Sequence, residues 1–517
     1  GRRWRQRARL LPLSLSRASK ERARQRSTTT LLPTMQRVSV RAAAAAAAAP
    51  RAAGLSRRAF ASQPSLDKEM PGMPQLTPAA SHEKPTTKVT TLDNGLRVAS
   101  EDNYGSVTAL GVFVDSGSRY ETSANSGVSH LLEHMAFKST ENRSTLRIVR
   151  DIEDIGGQFG ASSAREFAIY QGECLREHAE KAVELLADTL QKPKLAPWDI
   201  DEQRKTIGYE LEDMETNAQA MLTEALHAAA YSEQGPLGRP LWCPKGNLAK
   251  LGEDDLRSFT QTHFTASRMV LSAAGIEHER LVELANKYFG DLPTAPANGV
   301  EPKTEASKYL GGERRVNADS PLTHVTLCFD AGGWKADDLL ETCTLHMLLG
   351  GGGSFSAGGP GKGMYSRLYT NVLNKHHWVD SATAFNSMYN DGGLFGIYGT
   401  CLPSDAGKLV DVMSAELEAV AAAKPSDEET ARAKNQLKSS VLMKLESRQV
   451  VFEDIGRQLL CYGAHESAAD LCKRIDAVTA EGIQKAAAKA LKSKATVAAF
   501  GDVSAVPHYD TVASRFH

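Results

Sequence analysis

The strongest constraint on the fold is a theme that the chain states twice. Gly111-Val112-Phe113-Val114-Asp115-Ser116-Gly117 is echoed by Thr326-Leu327-Cys328-Phe329-Asp330-Ala331-Gly332, 215 residues later. Each copy is an apolar, β-branched run that closes on Asp-x-Gly and leads into a stretch with helical spacing. A repeat of that period in a chain of 517 residues predicts a duplicated domain rather than one large core. Between the copies, residues 291–306 are polar and proline-rich and predict a linker. The body thus divides into an N-terminal domain over 88–290, a linker over 291–306 and a C-terminal domain over 307–517.

Local patterns fill in both halves. Residues 92–98, with Asn94-Gly95 at their centre, predict a β-hairpin. Residues 106–115 read as a buried strand, and 127–137 as a helix capped by Asn125 or Ser126. Val183, Leu186, Ala187 and Leu190 recur at helical intervals, so 177–191 is an amphipathic helix. In the second half, Ser426-Asp427-Glu428-Glu429 opens a long helix through about 448 with a capping box. Strands and helices alternate irregularly, with hairpin turns. The expected class is α+β: two homologous domains of similar size, each a mostly antiparallel sheet packed with helices.

Charge separates the N-terminus from the rest. Residues 1–66 hold fourteen Arg, one Lys and a single acid, Glu21, a net +14; the whole chain is −1, so residues 67–517 carry −15. From Met35 to residue 66 there is no acid, while Arg, Ala and Ser abound. That is the composition of a mitochondrial transit peptide, and Arg57-Arg58-Ala59-Phe60-Ala61-Ser62 reads as its processing site. A secretory signal needs a more apolar core than the polyalanine run that ends at Pro50. A basic nucleic-acid-binding arm would need aromatic and glycine-rich partners that are missing, so no nucleic acid is expected. Residue 1 is Gly, so 1–34 is expected to precede a start at Met35; 67–87 reads as a loose leader. No run of 18 apolar residues predicts a transmembrane helix. Seven scattered cysteines, with no Cys-x-x-Cys pair, argue against a disulfide scaffold or a thiolate zinc site.

The chemistry concentrates in His130-Leu131-Leu132-Glu133-His134. On a helix, positions i and i+4 share a face, so two imidazoles can bind one zinc ion. Glu133, beside the second histidine, can take a proton from activated water and pass it to a leaving amine. This order is the inverted zincin motif. A third ligand is required. Residues 197–217 read as a densely acidic helix with Glu202, Glu210, Glu212 and Glu215, among which the sequence alone does not choose.

A second feature is Gly350-Gly351-Gly352-Gly353-Ser354-Phe355-Ser356-Ala357-Gly358-Gly359-Pro360-Gly361-Lys362-Gly363. Eight glycines in fourteen residues predict an irregular loop. A linker, a phosphate cradle and a substrate lid compete, but no Gly-Lys-Ser/Thr closes the loop, so the Walker pattern fails.

Residues 127–140, around the zincin motif, resemble the active-site helix of the pitrilysin-like processing peptidases. The glycine run resembles the loop by which the α subunits of that family take part in presequence recognition. Ala384-Phe385-Asn386-Ser387, Gly393-Leu394-Phe395-Gly396-Ile397-Tyr398-Gly399 and Glu453-Asp454-Ile455-Gly456-Arg457-Gln458 resemble the same branch, and the likeness covers roughly residues 88–505. It implies His130, His134 and Glu210 as ligands of one zinc ion and Glu133 as the catalytic base. It implies substrate binding at Gly350, Gly351, Gly352, Gly353, Ser354, Phe355, Gly358, Gly359, Gly361 and Gly363. Several helpers depart from the family pattern. Gln203 replaces an acid, Gly160 replaces the asparagine that β subunits carry, and Leu373 and Asp380 stand where one-chain relatives carry Arg and Tyr. Hydrolysis needs oxyanion stabilisation as well as activated water. The resemblance therefore implies a mitochondrial matrix, substrate-recognising α subunit of a zinc metalloendopeptidase. A β-subunit partner does most of the chemistry, and basic presequence peptides are the substrates. Two alternatives are a core subunit of ubiquinol–cytochrome c reductase at the matrix face of the inner membrane, partnered by that complex's other subunits, and an autonomous zinc protease.

Overall fold

Strand β3 (Val107–Val114) shows how each half is built. Its side chains alternate, so Leu110, Val112 and Val114 enter one core while Ala109 and Phe113 enter another on the opposite face. Both faces are covered, which is why the strand reads as continuously apolar. The computed structural model describes residues 85–297, 299–302, 304–354 and 363–516. They belong to a single compact unit. The expected targeting segment, 1–66, and all but the end of the leader lie outside the described residues.

The first sheet comprises β1 (Lys88–Thr91), β2 (Arg97–Glu101), β3, β4 (Gln158–Ser163), β5 (Ala168–Leu175) and β6 (Met269–Ala274), in the order β1-β2-β6-β3-β5-β4. The second comprises β7 (Gly312–Asn317), β8 (Thr323–Asp330), β9 (Gly351–Gly353), β10 (Val379–Met388), β11 (Gly393–Cys401) and β12 (Thr496–Gly501), in the order β7-β12-β8-β11-β10-β9. With β1 and β9 set aside, the five remaining strands match one for one. β2/β6 and β7/β12 are the parallel pairs, and the others run antiparallel. The repeated sequence theme is β3 in one half and β8 in the other. The class is α+β with two similar halves.

Eleven helices build the packing and the site: α1 (Val128–Met135), α2 (Ala179–Gln191), α3 (Pro197–Thr216), α4 (Ala218–Tyr231), α5 (Glu253–His263), α6 (His278–Phe289), α7 (Leu339–Leu349), α8 (Ala406–Ala422), α9 (Asp427–Lys444), α10 (Arg448–Tyr462) and α11 (Ala480–Ala490). Helices α2 and α6 cover one face of the first sheet, and α7, α8, α9 and α11 one face of the second. The remaining faces are covered by exchange. Val451, Phe452, Ile455 and Leu459 of α10 pack on Phe113, Ile169 and Val270 of the first sheet. Reciprocally, Leu222, Ala225, Leu226 and Ala230 of α4 pack on Cys328, Leu394 and Phe500 of the second. Four buried side chains at about 1.5–3 kcal/mol each give the α10 contact an upper bound of roughly 6–12 kcal/mol.

A polar latch fastens the same interface. Arg119, with a side chain 3% exposed, donates to Glu166 (2.5 Å), Asp391 (2.5 Å) and the Glu305 carbonyl (2.8 Å). Glu166 accepts the Asn390 N–H, Asp391 accepts the Ser307 N–H, and the His227 ring lies 2.6 Å from the Tyr389 hydroxyl. The β10–β11 turn is thereby plugged into the first half. Residues 291–306 run past this latch, and the described ones form neither helix nor strand.

Three expectations need correction. The helix that starts at Ser426 ends at Lys444, not about 448; a new helix starts at Arg448 because the chain must turn to cross onto the first sheet. The glycine run is not wholly irregular, since Gly351–Gly353 pair with β10. A Cβ on Gly351 would lie 2.0 Å from the Ala382 carbonyl oxygen, and one on Gly352 would lie 2.6 Å from the Tyr369 hydroxyl, so only glycine allows this strand to lie so close. Neither Asn125 nor Ser126 caps α1; the cap position is Gly127 (φ 95°), which has no side-chain acceptor to offer. All seven cysteines are free thiols, and no helix among the described residues is long and apolar enough to cross a membrane.

Candidate metal centre

Helix α1 needs an N-terminal acceptor, and it comes from a buried carboxylate. Glu121, 1% exposed, accepts the Gly127 N–H (2.7 Å) and the Ser129 N–H (2.9 Å). Burial pushes its carboxyl up to about 7, against the pull of those two donors. The apolar side of α1, Val128, Leu131, Leu132 and Met135, packs with Ile200, Ile207 and Leu211 of α3 and with Leu256 and Phe259 of α5. That packing sets α3 across from α1. Positions 203, 207 and 210 share one face of α3 by helical spacing, and Gln203 and Ile207 are buried along it.

Glu210 is what this face delivers. Its Oε2 lies 2.9 Å from His134 Nε2 and 3.3 Å from His130 Nε2. The three candidate ligand atoms fall within 4.8 Å of one another, the one such cluster found among the described residues. Of the other acids on the helix, Glu202 and Glu212 are exposed, and Glu215 pairs with Lys245 at 2.6 Å. Glu133, the residue just before His134, accepts the Ser163 N–H of edge strand β4 at 2.8 Å, and burial raises its carboxyl pKa.

The donor set fits a divalent cation. Two nitrogens and a carboxylate oxygen converge, and His130 Nε2 and Glu210 Oε2 are buried without a hydrogen-bond partner despite their closeness. Burial drives the His130 imidazole down to about 4, so it is neutral at ordinary pH. One contact works against the fit. The Cys243 N–H donates to His130 Nδ1 at 3.2 Å, which places the proton of the neutral ring on Nε2, the atom that would have to coordinate. The Trp242 ring meets His130 edge to face at 5.2 Å and holds it there. Sequence reasoning missed Glu121, Trp242 and Cys243. A backbone N–H from a loop 113 residues away leaves no trace in a local pattern.

The residues that depart from the family pattern are engaged elsewhere or absent as side chains. Gly160 stands on edge strand β4 with open space where a Cβ would sit. Leu373 is buried in the second half's core. Asp380 accepts the Thr400 hydroxyl at 2.9 Å, and its carbonyl accepts the Ser354 N–H at 2.7 Å. Of the glycine-run residues, Gly350 (φ 57°), Gly351, Gly352, Gly353 and Ser354 line up along or beside β10, and Gly363 (φ 75°) approaches Gln436. Phe355, Gly358, Gly359 and Gly361 lie outside the described residues.

Comparison with known proteins places this architecture. Residues 97–245 match the family described as insulinase (peptidase family M16), and residues 250–437 match the peptidase M16 inactive domain. The chain belongs to the M16 peptidase family. Among the relatives that it resembles over most of its length are α subunits of mitochondrial-processing peptidases. It is 46% identical to that of Solanum tuberosum over 84% of this chain and 86% of the relative. It is 42% identical to the probable α-1 subunit of Arabidopsis thaliana over 89% and 91%. It is 37% identical to that of Homo sapiens over 86% and 88%.

Proposed function

We propose that this chain is the mitochondrial, substrate-recognising α subunit of a heterodimeric metalloendopeptidase that removes presequences, paired with a β subunit that does most of the cutting. The observation that carries the reading is the combination of likeness to α subunits over most of the chain with Leu373 and Asp380 at the two second-half positions where one-chain relatives carry helpers. Leu373 is sealed in the core and Asp380 is tied to Thr400. That likeness favours this role over a core subunit of ubiquinol–cytochrome c reductase. The lost helpers disfavour an autonomous protease.

His130, His134 and Glu210 would hold one zinc ion, which when bound supplies a Lewis acid for polarising a peptide carbonyl and acidifying water. Glu133 would accept and return a proton there. The −15 net charge of residues 67–517 suits basic presequences, raising the encounter rate with them. The test is presequence cleavage by the chain co-expressed with a β subunit. Glu133→Gln is expected to leave the heterodimer rate within about twofold. Loss of the 10²–10⁴-fold that a general base typically supplies would assign the chemistry to this chain instead. Cleavage by the lone chain at the heterodimer rate would overturn the recognition role.

A further inference from the structure

The duplication pairs a filled place in the first half with a cavity in the second. Helix α1 follows β3 as α7 follows β8, and α3 precedes the exchanged helix α4 as α9 precedes α10. In the first half the loop after α4, residues 232–244, carries Trp242 and Cys243. Cys243 packs with Val128 and Leu131 of α1 and with Ile207 and Leu211 of α3, and Trp242 lies against the same cluster. The matching loop after α10 runs only over residues 463–467, Gly463-Ala464-His465-Glu466-Ser467, and brings no large apolar side chain. The place between α7, α9 and the end of α10 is therefore a cavity of about 550 Å³.

The walls of this cavity have a definite chemistry. Leu340 of α7, Leu437 and Val441 of α9 and Ile475 of the following helix (Ala468–Ala477) make an apolar lining. Cys343 of α7 and Cys461 of α10 add two thiols, each pushed up to about 11 by burial and therefore uncharged. Trp334 and Tyr462 are the aromatic members, and the Tyr462 hydroxyl donates to the Trp334 carbonyl at 3.0 Å. The charged lining cancels. Lys335, Arg457 and Arg474 stand against Asp337, Asp454 and Glu466, with Arg457 paired to Asp454 at 3.2 Å and Arg474 to Glu466 at 2.7 Å. The His465 ring lines the cavity 3.9 Å from Asp454, beyond hydrogen-bond reach.

We propose that this cavity binds an uncharged, planar aromatic small molecule of two or three fused rings. The inference goes beyond the recognition role proposed above and does not rest on it. The first half shows what such a helix pair accepts in this place: an indole and a thiol, supplied there by the chain's own loop. The volume falls within the roughly 300–1,000 Å³ of small-molecule sites, and the walls are mainly apolar with few polar groups, as such sites are. Balanced and paired charges give an ionic ligand no net attraction, and a ligand charge buried unpaired among these walls would be costly. A flat ring can stack on Trp334 and Tyr462 and meet two polarisable sulfurs, while the His465 ring meets an N–H or O–H at its edge. A ligand held there ties the end of α10, which crosses onto the first sheet, to α7 and α9.

The experiment titrates 5-fluoroindole into the full-length chain in its heterodimer, followed by ¹⁹F NMR. Saturable binding with a Kd of about 1 mM or tighter is expected, within reach of a ligand of about ten heavy atoms. No saturation in that range would overturn the proposal. Indole-3-acetate and tryptamine are each expected to displace the probe at least tenfold less well than indole, and equal displacement by either would refute an uncharged ligand. Ala464→Trp, at an exposed loop position on the cavity, supplies the ring that Trp242 supplies in the first half and is expected to weaken Kd at least tenfold. Ala469→Trp, exposed on the following helix and outside the lining, is expected to leave Kd unchanged. Wild-type affinity in Ala464→Trp, or equal losses in both variants, would overturn the site. Alkylation by N-ethylmaleimide, read by peptide mass spectrometry, needs no variant. Bound 5-fluoroindole should slow it at Cys343 and Cys461 and not at Cys472, which is outside the lining. Unchanged rates at Cys343 and Cys461 would put the ligand elsewhere and refute the proposal. Binding by the lone chain but not by the heterodimer would mean that the β subunit covers this face, and would refute it equally.

Discussion

A single methyl group on α10 tests how closely the two halves are pressed together. Gly456 faces the first sheet, and a Cβ there would lie 2.2 and 2.3 Å from ring atoms of Phe113 and 2.7 Å from Ser272 Oγ. The ring has nowhere to go: Phe113 is 2% exposed, and its centroid lies 6.0 Å from that of Phe167 and 6.4 Å from that of Phe452. Two effects oppose one another in Gly456→Ala. Replacing a helical glycine by alanine gains about 0.8–1 kcal/mol of helix propensity. Overpacking a well-filled core costs about 1–3 kcal/mol, and three sub-van-der-Waals approaches to fixed atoms put this case in the upper part of that range. The expected net is a loss of about 1–2 kcal/mol. Gly208→Ala on α3 is the matched control, because nothing lies within 4 Å of its Cβ position, so only the propensity gain of about 1 kcal/mol remains. Urea unfolding of the full chain, followed by tryptophan fluorescence, reads both. Gly456→Ala should lower the midpoint by roughly 0.5 M and Gly208→Ala should raise it by somewhat less, for a slope of about 3 kcal/mol/M. Adding Phe113→Leu to Gly456→Ala should recover part of the loss, giving a coupling of about 0.5–3 kcal/mol. A rise in midpoint for Gly456→Ala would refute the close-packed picture of the helix exchange.

The candidate centre carries two more predictions. Glu121 titrates at about 7 in the folded chain against an ordinary value of 4.5, raised by burial, so the folded state favours its protonated form. Its contribution to stability is fully present below about 4.5 and is lost as pH rises through about 7, a swing of roughly 3 kcal/mol at 1.36 kcal/mol per unit. Glu121→Gln should flatten the urea midpoint between those values, and an unchanged slope would place the titration elsewhere. At His130, ¹⁵N NMR of the zinc-free chain should show the proton on Nε2, as the Cys243 N–H at Nδ1 requires. Competition with a chelator should find zinc held about 10–100-fold more weakly than where the second nitrogen donates to a carbonyl or carboxylate. A proton found on Nδ1 would remove that obstacle to coordination.

Some of this protein was readable from the chain alone because its signals are local and periodic. The Asp-x-Gly echo announced two halves, and those are β3 and β8 with their matched neighbours. The His-x-x-Glu-His spacing placed two imidazoles on one helical face whatever the helix packs against. The Asn94-Gly95 hairpin and the helices at 179–191 and 197–216 obeyed turn chemistry and the 3.6-residue period. The glycine run was read as irregular because propensity alone disfavours a strand there. Tertiary proximity to Ala382 and Tyr369 overrides it.

The sequence by itself determined the duplication, the class of each half and the helix that carries His130, Glu133 and His134, since period and residue type decide those within a few turns of chain. Residue pattern alone left four glutamates on α3 open and the family resemblance pointed to Glu210, which the structure brings to the histidines; only the tertiary structure decided that Glu121 and not Asn125 or Ser126 serves α1, and that Cys243 N–H sets the proton on His130. It also decided that each half covers its sheet with the other's helix. Those outcomes depend on contacts between residues far apart in the chain. The free energy of such a contact comes from burial and geometry at the meeting point, and neither partner's local sequence encodes where the other will be.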